Sequence, residues 1–168
     1  MSQWKVYNFK YLNYKNMNVV ICQALGNELQ AFLSALSFDK VFILTDEHTH
    51  ALCLPRLQGV EALKEAPVIC TAAGDTHKSL EHLAKIWERL SNEGATRHSL
   101  LINLGGGMVT DMGGFAGATF KRGIRTINIP TTLMASVDAA VGGKTGINFN
   151  GLKNEIGSFY PPLCVFID

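Results

Sequence analysis

Residues 99–107 read SLLINLGGG, a short apolar run that ends directly in three glycines. Runs of four to six apolar residues without polar alternation are typical of strands that are covered on both faces in a parallel sheet. The same pattern recurs in NVVICQ (18–23), VFILTD (41–46), PVICTA (67–72), IRTINIP (124–130) and LCVFID (163–168). The sequence therefore predicts a mostly parallel sheet built from these strands.

Helical patterns lie between the apolar runs. GNELQAFLSAL (26–36) has helical spacing, and MVTDMGGFAGATF (108–120) follows the glycines as a candidate helix. SLEHLAKIWERL (79–90) is the clearest case, with apolar residues at helical intervals: Leu80, Leu83, Ile86, Trp87 and Leu90. Alternating strands and helices predict a doubly wound, Rossmann-like α/β fold. Because 168 residues suffice for one such domain and not for two, residues 1–168 are predicted to be one domain.

Composition excludes several classes of protein. Hydrophobic residues make up 47% and charged residues 17% of the chain, which is typical of a globular protein. A net charge of +1 provides no overall field for binding nucleic acid or an acidic membrane. No apolar run approaches the roughly 20 residues that span a bilayer, and residues 1–16 lack an apolar signal core. The prediction is a cytoplasmic protein with no membrane or nucleic-acid partner.

The cysteines and histidines show no metal-binding spacing. Cys22, Cys53, Cys70 and Cys164 are scattered and form no C-x-x-C motif, which favours reduced thiols. The five histidines also lack the H-E-x-x-H arrangement. No metal site is therefore predicted within this chain.

The region 130–162 contains five glycines and little periodicity, so it is predicted to be a long irregular, functional segment. Its run Gly142-Gly143-Lys144-Thr145 resembles a P-loop. However, the motif G-x-x-x-x-G-K-[ST] requires glycine at the position of Asp138, where a carboxylate would face the phosphates. A P-loop is excluded.

The glycines at 105–107 leave two interpretations open. A glycine turn between a strand and a helix lets a backbone approach a pyrophosphate, whose charge the free N–H groups of the helix would bind. The pattern G-x-G-x-x-G fails because Thr110 replaces the last glycine, so a simple tight turn is equally compatible. We attribute Gly113, Gly114 and Gly117, in the candidate helix, to close helix packing.

Several charged residues are candidate ligand contacts, each with a simpler alternative. Asp46, at a strand end, would bind a ribose or cap a helix. Asp111 would pair with the helix dipole or contact a ligand. Lys78 would contact a phosphate or be solvated. The basic residues of the glycine-rich half suit a phosphorylated, carboxylated substrate: Lys121, Arg122, Arg125, Lys144 and Lys153.

Residues 103–162 resemble the N-terminal domain of the 3-dehydroquinate synthase family. The most specific part is PTTL-x-A-x-VD-x-x-VGGKTG-x-N followed by KN-x-IG-x-F, and a weaker likeness extends back to about residue 40. The resemblance implies a lyase of aromatic amino-acid biosynthesis that depends on NAD and a divalent metal, zinc or cobalt. Such an enzyme converts 3-deoxy-D-arabino-heptulosonate 7-phosphate to 3-dehydroquinate and phosphate. NAD⁺ oxidises a substrate hydroxyl, phosphate is eliminated, and the ketone is reduced again before ring closure.

The resemblance also implies a role for individual residues. Gly106, Gly107 and Met108 would lie along the pyrophosphate of NAD. Asp111, Thr131 and Thr132 would lie near the nicotinamide ribose and Asp46 at the adenosine ribose, with Lys78 and Lys153 also near the cofactor. Asp138, Lys144 and Asn154 would contact the substrate, and Lys144 the cofactor region as well. Arg122 would reach the substrate phosphate of a neighbouring subunit, which implies a homodimer.

Two departures from the family pattern and one absence stand out. Asp75 replaces the usual glutamate, and GLKN replaces the usual Leu-Gly-Lys-Asn order. The metal ligands implied by the family, one glutamate and two histidines, belong to a helical C-terminal domain that this chain lacks. We therefore expect a truncated chain that is inactive alone. The alternatives are another sugar-phosphate cyclase on the same scaffold and an NAD-binding module without catalysis.

Overall fold

The computed structural model describes residues 18–168. The elements, in chain order, are β1 (Asn18–Ile21), α1 (Leu25–Ser34), β2 (Val41–Asp46), α2 (Glu47–Leu52), β3 (Val68–Thr71), α3 (Leu80–Asn92), β4 (Leu100–Gly105), α4 (Gly107–Thr119), β5 (Arg125–Pro130), a π-helical turn (Ala135–Ala139), β6 (Lys144–Phe149), β7 (Leu152–Phe159) and β8 (Cys164–Ile167). Short 3₁₀ turns occupy Leu54–Leu57, Glu61–Leu63, Asp75–His77 and Phe120–Arg122.

Six strands form one parallel sheet in the order β1-β8-β5-β4-β2-β3. Strands β4 and β5 pair along their whole length, from Leu100 opposite Arg125 to Gly105 opposite Pro130. All six residues of β4 are buried. This confirms the predicted doubly wound sheet, because only strands covered on both faces can remain apolar without alternation.

Helices cover both faces of the sheet and enclose two large apolar cores, and a third, small cluster contains Val19, Ala140 and Val165. Neighbouring residues of one strand contribute to opposite cores because side chains alternate along a strand. Ile43 and Ile102 pack on the face of α1, whereas Phe42 and Leu101 pack on the face of α3 and α4. Each fully buried apolar side chain of this kind contributes roughly 1.5–3 kcal/mol to stability.

Helix α3 follows the predicted apolar pattern with one exception. Leu83, Ile86 and Leu90 are buried, and Trp87 packs partly against the same core. Leu80 is instead 48% exposed, because it is the first residue of the helix and lies beyond the edge of the core. The side chain of Ser79 caps the helix by accepting the N–H of His82.

The glycines of α4 allow close packing, as predicted. A Cβ atom on Gly113 would lie under 3.0 Å from the side chain of Asn103 on β4, and one on Gly117 would meet Thr126 on β5 equally closely. A Cβ atom on Gly114 would contact Thr145 on β6 in the same way. The three glycines therefore bring α4 against the sheet on one side and against β6 on the other.

The prediction of an irregular segment over 130–162 was wrong. Strands β6 and β7 form an antiparallel hairpin outside the main sheet. Its two-residue turn is Asn150-Gly151, with φ of 50° and 81°, between the paired residues Phe149 and Leu152. Asn-Gly is the preferred sequence for a turn in which both central residues have positive φ. This dipeptide was the signal that could have revealed the hairpin.

The described residues contain no helix that is long and apolar enough to cross a membrane. The expectation about a signal segment concerns residues 1–16, which lie outside the described part of the chain. All four cysteines are unpaired, as predicted.

Candidate active site

The glycine turn lies at the carboxyl edge of the sheet, between β4 and α4. The N–H of Thr131 donates to the carbonyl of Gly105 at 3.1 Å, which places Thr131 and Thr132 beside the turn. A Cβ atom on Gly106 would approach the side chain of Thr132 to 3.2 Å, so a side chain there would fill the space above the turn. No side chain caps the start of α4. Its first N–H groups, including that of Met108, therefore remain available to an anion.

Lys78 is buried in an ion pair with Asp111. Its Nζ atom lies 2.6 Å from Oδ2 of Asp111 and also donates to the side-chain oxygen of Asn154. The Lys78 side chain is only 4% exposed, so the interpretation of Lys78 as a solvated lysine was wrong. The carboxylate of Asp111 is bound to the ammonium of Lys78, so interaction with the helix dipole is not the sole role of Asp111.

Burial dominates the electrostatics of Asp111. It raises the pKa of the Asp111 carboxyl above its ordinary value, although the ammonium of Lys78 opposes the shift. Removing a carboxylate from water disfavours its charged form, and the ion pair compensates for part of that cost. Lys78 is therefore the main group that favours the charged form of Asp111.

A cavity of about 430 Å³ opens beside this pair. The predicted substrate contacts Asp138, Lys144 and Asn154 all line it, together with Asp111. Asp138 comes from the π-helical turn, Lys144 from the start of β6 and Asn154 from β7. The structure therefore brings together residues that are as far as 43 positions apart in the sequence (154 minus 111). Thr145, Ser158 and Phe159 also line the cavity and were not predicted.

Lys144 stands at the mouth of this cavity. Its Nζ atom lies 3.5 Å from Oδ1 of Asp138, and both side chains are 61% exposed. The preceding Gly143 has a φ of 65°, and its carbonyl accepts the N–H of Tyr160 at 2.7 Å. The ammonium of Lys144 is thus held at the cavity by a weak, solvated ion pair.

Lys153 pairs with Asp75 at the other end of β7. The two charged groups are 2.9 Å apart, and the ammonium lowers the pKa of the Asp75 carboxyl. Asp75 belongs to the loop that also carries Lys78. The shorter aspartate, which departs from the family pattern, still reaches the hairpin.

Asp46 has a structural role at the end of β2. Its Oδ1 atom accepts the N–H of Thr49 at 2.8 Å, and its own N–H donates to the hydroxyl of Thr49 at 3.0 Å. This capping box begins α2. The helix-cap interpretation is confirmed, and contact with a ribose stays a prediction.

Arg122 lies away from the other candidate residues. It follows the carboxyl end of α4 and precedes β5, at the opposite edge of the sheet from the glycine turn. There it lines a cationic cavity of about 840 Å³ with four other basic side chains: Arg97, His98, Lys121 and Arg125. Within one chain, Arg122 does not meet Lys144.

No group of three or more histidine, cysteine, aspartate or glutamate side chains that could hold a metal ion occurs in residues 18–168. The donor set required for zinc or cobalt, three or four such ligands, is thus missing from this part of the chain. A metal does not fit the residues described here.

Comparison with known proteins places these features in a family. Residues 68–168 match the model described as 3-dehydroquinate synthase N-terminal. The 3-dehydroquinate synthase of Parabacteroides distasonis is 71% identical over 150 residues, which cover 89% of this chain and 42% of that protein. The chain therefore spans less than half the length of this relative.

Solved structures of two related enzymes share the fold. The first is 2-deoxy-scyllo-inosose synthase complexed with carbaglucose-6-phosphate, NAD⁺ and Co²⁺. It is 27% identical with a TM-score of 0.81, over 90% of this chain and 42% of that one. The second is 2-epi-5-epi-valiolone synthase from Streptomyces hygroscopicus subsp. jinggangensis 5008, with NAD⁺ and Zn²⁺ bound. It is 28% identical with a TM-score of 0.77, over 98% of this chain and 45% of that one. The family match over more than half of its residues shows that the chain belongs to the 3-dehydroquinate synthase family.

Proposed function

We propose that this chain forms the NAD-binding part of a 3-dehydroquinate synthase, a lyase that converts 3-deoxy-D-arabino-heptulosonate 7-phosphate to 3-dehydroquinate and phosphate. One observation carries the proposal: a single cavity gathers Asp111, Asp138, Lys144 and Asn154. Family membership and the 71% identity to a 3-dehydroquinate synthase support the choice of reaction.

The carboxyl edge of the sheet fits NAD. Side chains are absent where the pyrophosphate would approach, at Gly106 and Gly107, and the uncapped N–H groups at the start of α4 suit its negative charge. The nicotinamide ribose would find acceptors and donors in Asp111, Thr131 and Thr132, and the adenosine ribose in Asp46. Lys78 and Lys153 would lie near the cofactor. When bound, NAD supplies hydride transfer, and the protein supplies position and charge.

The mouth of the cavity fits an anionic sugar. Lys144 carries a positive charge there, and its pairing with Asp138 is exposed and long at 3.5 Å. Exposed ion pairs contribute only about 0–1 kcal/mol, so a phosphate or carboxylate can replace Asp138 at little cost. Asp138 would then be available to the hydroxyl groups of the sugar, and Asn154 would donate or accept a further hydrogen bond.

Arg122 supports a proposal about assembly. Its position at the far edge of the sheet excludes contact with the cavity of its own chain. We propose a homodimer in which Arg122 reaches the substrate phosphate in the site of a second copy. The cationic cavity around it indicates that this edge is suited to an anion.

We propose that a metal is held by residues other than 18–168, since these provide no ligand cluster. The Co²⁺ and Zn²⁺ of the two related structures support a metal-dependent reaction for the whole enzyme, with ligands from outside this part of the chain. We also propose a cytoplasmic location, as is usual for biosynthetic enzymes with reduced thiols.

Calorimetric titration of the 168-residue chain with NAD⁺ tests the binding site. We expect one NAD⁺ per chain, and we expect Gly106→Ala to weaken binding at least tenfold because the added methyl group occupies the turn. Gly59→Ala is the matched control, since a Cβ atom there meets nothing within 4 Å. A folded chain that binds no NAD⁺ would contradict the proposed function.

A coupled assay for released phosphate tests the reaction. We expect no phosphate release by the 168-residue chain and NAD-dependent release by the complete product of its gene. Release from a different sugar phosphate, but not from the heptulosonate phosphate, would identify another cyclase. Binding of NAD⁺ without turnover by the complete product would identify a binding module.

A further inference from the structure

Asn148, in β6, is the point at which two parts of the site are joined. One part is the loop after β3, which carries Asp75 and Lys78. The other is β7, which carries Lys153 and Asn154. Asn148 itself is half-buried and does not line the cavity.

A β-bulge lies opposite Asn148. Ile147 pairs with Ile156 and Phe149 pairs with Leu152, so Asn148 alone faces the three residues from 153 to 155. Extra residues in one strand bend it and redirect its side chains. The middle residue, Asn154, has a φ of 54°, a left-handed conformation that directs its side chain to Lys78.

The side chain of Asn148 holds this bulge in place. Its Oδ1 atom accepts the backbone N–H of Asn154 at 3.0 Å. That N–H has lost its regular place in the strand ladder, because the bulge interrupts the pairing. The hydrogen bond therefore stabilises the conformation in which Asn154 meets Lys78.

The same side chain also binds the loop. Its Nδ2 atom donates to the backbone carbonyl of Asp75 at 3.0 Å and to its carboxylate at 3.3 Å. The backbone N–H of Asn148 donates to the carbonyl of Lys78 at 2.8 Å. A short amide offers a donor toward the loop and an acceptor toward the bulge from two separate atoms.

We propose that Asn148 is a positioning residue, which fixes Lys78 and Asp75 on the loop against Lys153 and Asn154 on the hairpin. Its importance for cofactor and substrate binding rests on the proposed function. The contacts that it makes within the chain do not depend on that proposal.

Two substitutions separate its two hydrogen-bonding roles. Asn148→Ala removes both, whereas Asn148→Asp keeps the acceptor for the N–H of Asn154 and loses the donor to Asp75. Asp75→Asn combined with Asn148→Asp restores the side-chain contact in the reverse direction, but leaves the backbone carbonyl of Asp75 without its donor. Glu155→Ala is the matched control, because Glu155 is an exposed residue of the same bulge.

Amide hydrogen exchange, followed by NMR without any ligand, tests the positioning directly. We expect Asn148→Ala to accelerate exchange at least tenfold at the amides of residues 148 and 154, while amides of β4 are unchanged. Asn148→Asp should accelerate only residue 148, and the double variant, which regains the side-chain contact, should recover part of that protection. Unchanged exchange at both amides in Asn148→Ala would overturn the proposal. Faster exchange throughout the sheet would also overturn it, because Asn148 would then serve the stability of the whole fold.

Titration of the same variants with NAD⁺ tests the consequence for the site. We expect Asn148→Ala to weaken NAD⁺ binding about tenfold and Glu155→Ala to leave it unchanged. Unchanged affinity in Asn148→Ala, together with binding by the unmodified chain, would overturn the role in the site. If the unmodified chain binds no NAD⁺, the proposed function fails, and the exchange measurements still decide whether Asn148 joins the loop to the hairpin.

Discussion

Replacing Lys78 by methionine should destabilise the protein, because it leaves a buried carboxylate without its partner. Removing one member of a fully buried ion pair typically costs about 3–5 kcal/mol. Asp111 is 21% exposed and can take up a proton, so we expect a smaller loss, of roughly 2–3 kcal/mol at pH 7. The typical stability of a domain is about 5–15 kcal/mol, so the variant should still fold.

The loss should depend on pH in a defined direction. Burial raises the pKa of Asp111, and without Lys78 nothing in the pair opposes that shift. Asp111 in the folded variant then binds a proton more tightly than it does in the unfolded chain. The stability of the variant therefore falls as the pH rises above about 4, the pKa of an aspartate in the unfolded chain. The difference in the free energy of unfolding between Lys78→Met and the unmodified chain should therefore be large at pH 7 and small at pH 4.

Urea unfolding followed by circular dichroism measures both effects. Lys153→Met is the matched control, because Lys153 also pairs with an aspartate but is 76% exposed, and we expect a change within about 0.5 kcal/mol. Lys78→Met combined with Asp111→Leu should recover much of the lost stability, since no charge remains buried. A loss below about 0.5 kcal/mol in Lys78→Met, or the same loss at pH 4 and pH 7, would refute the reasoning.

Two further predictions concern packing and thiol reactivity. Gly114→Ala should lower the free energy of unfolding by about 1–3 kcal/mol, because the added methyl group would overlap Thr145. This loss should exceed the gain from the better helix propensity of alanine. The control Gly59→Ala has open space around the added methyl group and should change the free energy of unfolding by no more than about 0.5 kcal/mol in the same urea titration. Iodoacetamide at pH 8 should modify the exposed Cys70 well before Cys164, because burial raises the pKa of the Cys164 thiol to about 12. Mass spectrometry of the alkylated peptides measures the order of modification, and the reverse order would contradict this account.

The parallel sheet could be predicted because its signal is local. The apolar runs are short, and three of them are followed by a helical pattern, as SLLINL is followed by α4, so neighbouring residues alone indicate strands covered on both faces. The packing role of Gly113, Gly114 and Gly117 was also accessible, since glycine within a helix costs about 1 kcal/mol and needs a compensating contact.

The hairpin was accessible in principle but was missed. Gly146 and Gly157 face each other across β6 and β7, and they hide the strand character of both segments. A Cβ atom on Gly157 would lie under 3.0 Å from the backbone of Thr145, so the hairpin requires residues with low strand propensity at this position. Here a tertiary requirement overrode the local preference.

The sequence by itself determined the six strands of the parallel sheet, the helices α1, α3 and α4, the glycine turn at the carboxyl edge of β4 and the identity of the charged residues nearby. Only the tertiary structure decided that Lys78 is buried against Asp111, that Asn148 joins the loop to the hairpin and that Arg122 lies at the opposite edge. The physical reason is that secondary structure follows from neighbouring residues. Burial, ion pairing and the direction of a side chain instead depend on residues that are distant in the chain and meet only after folding.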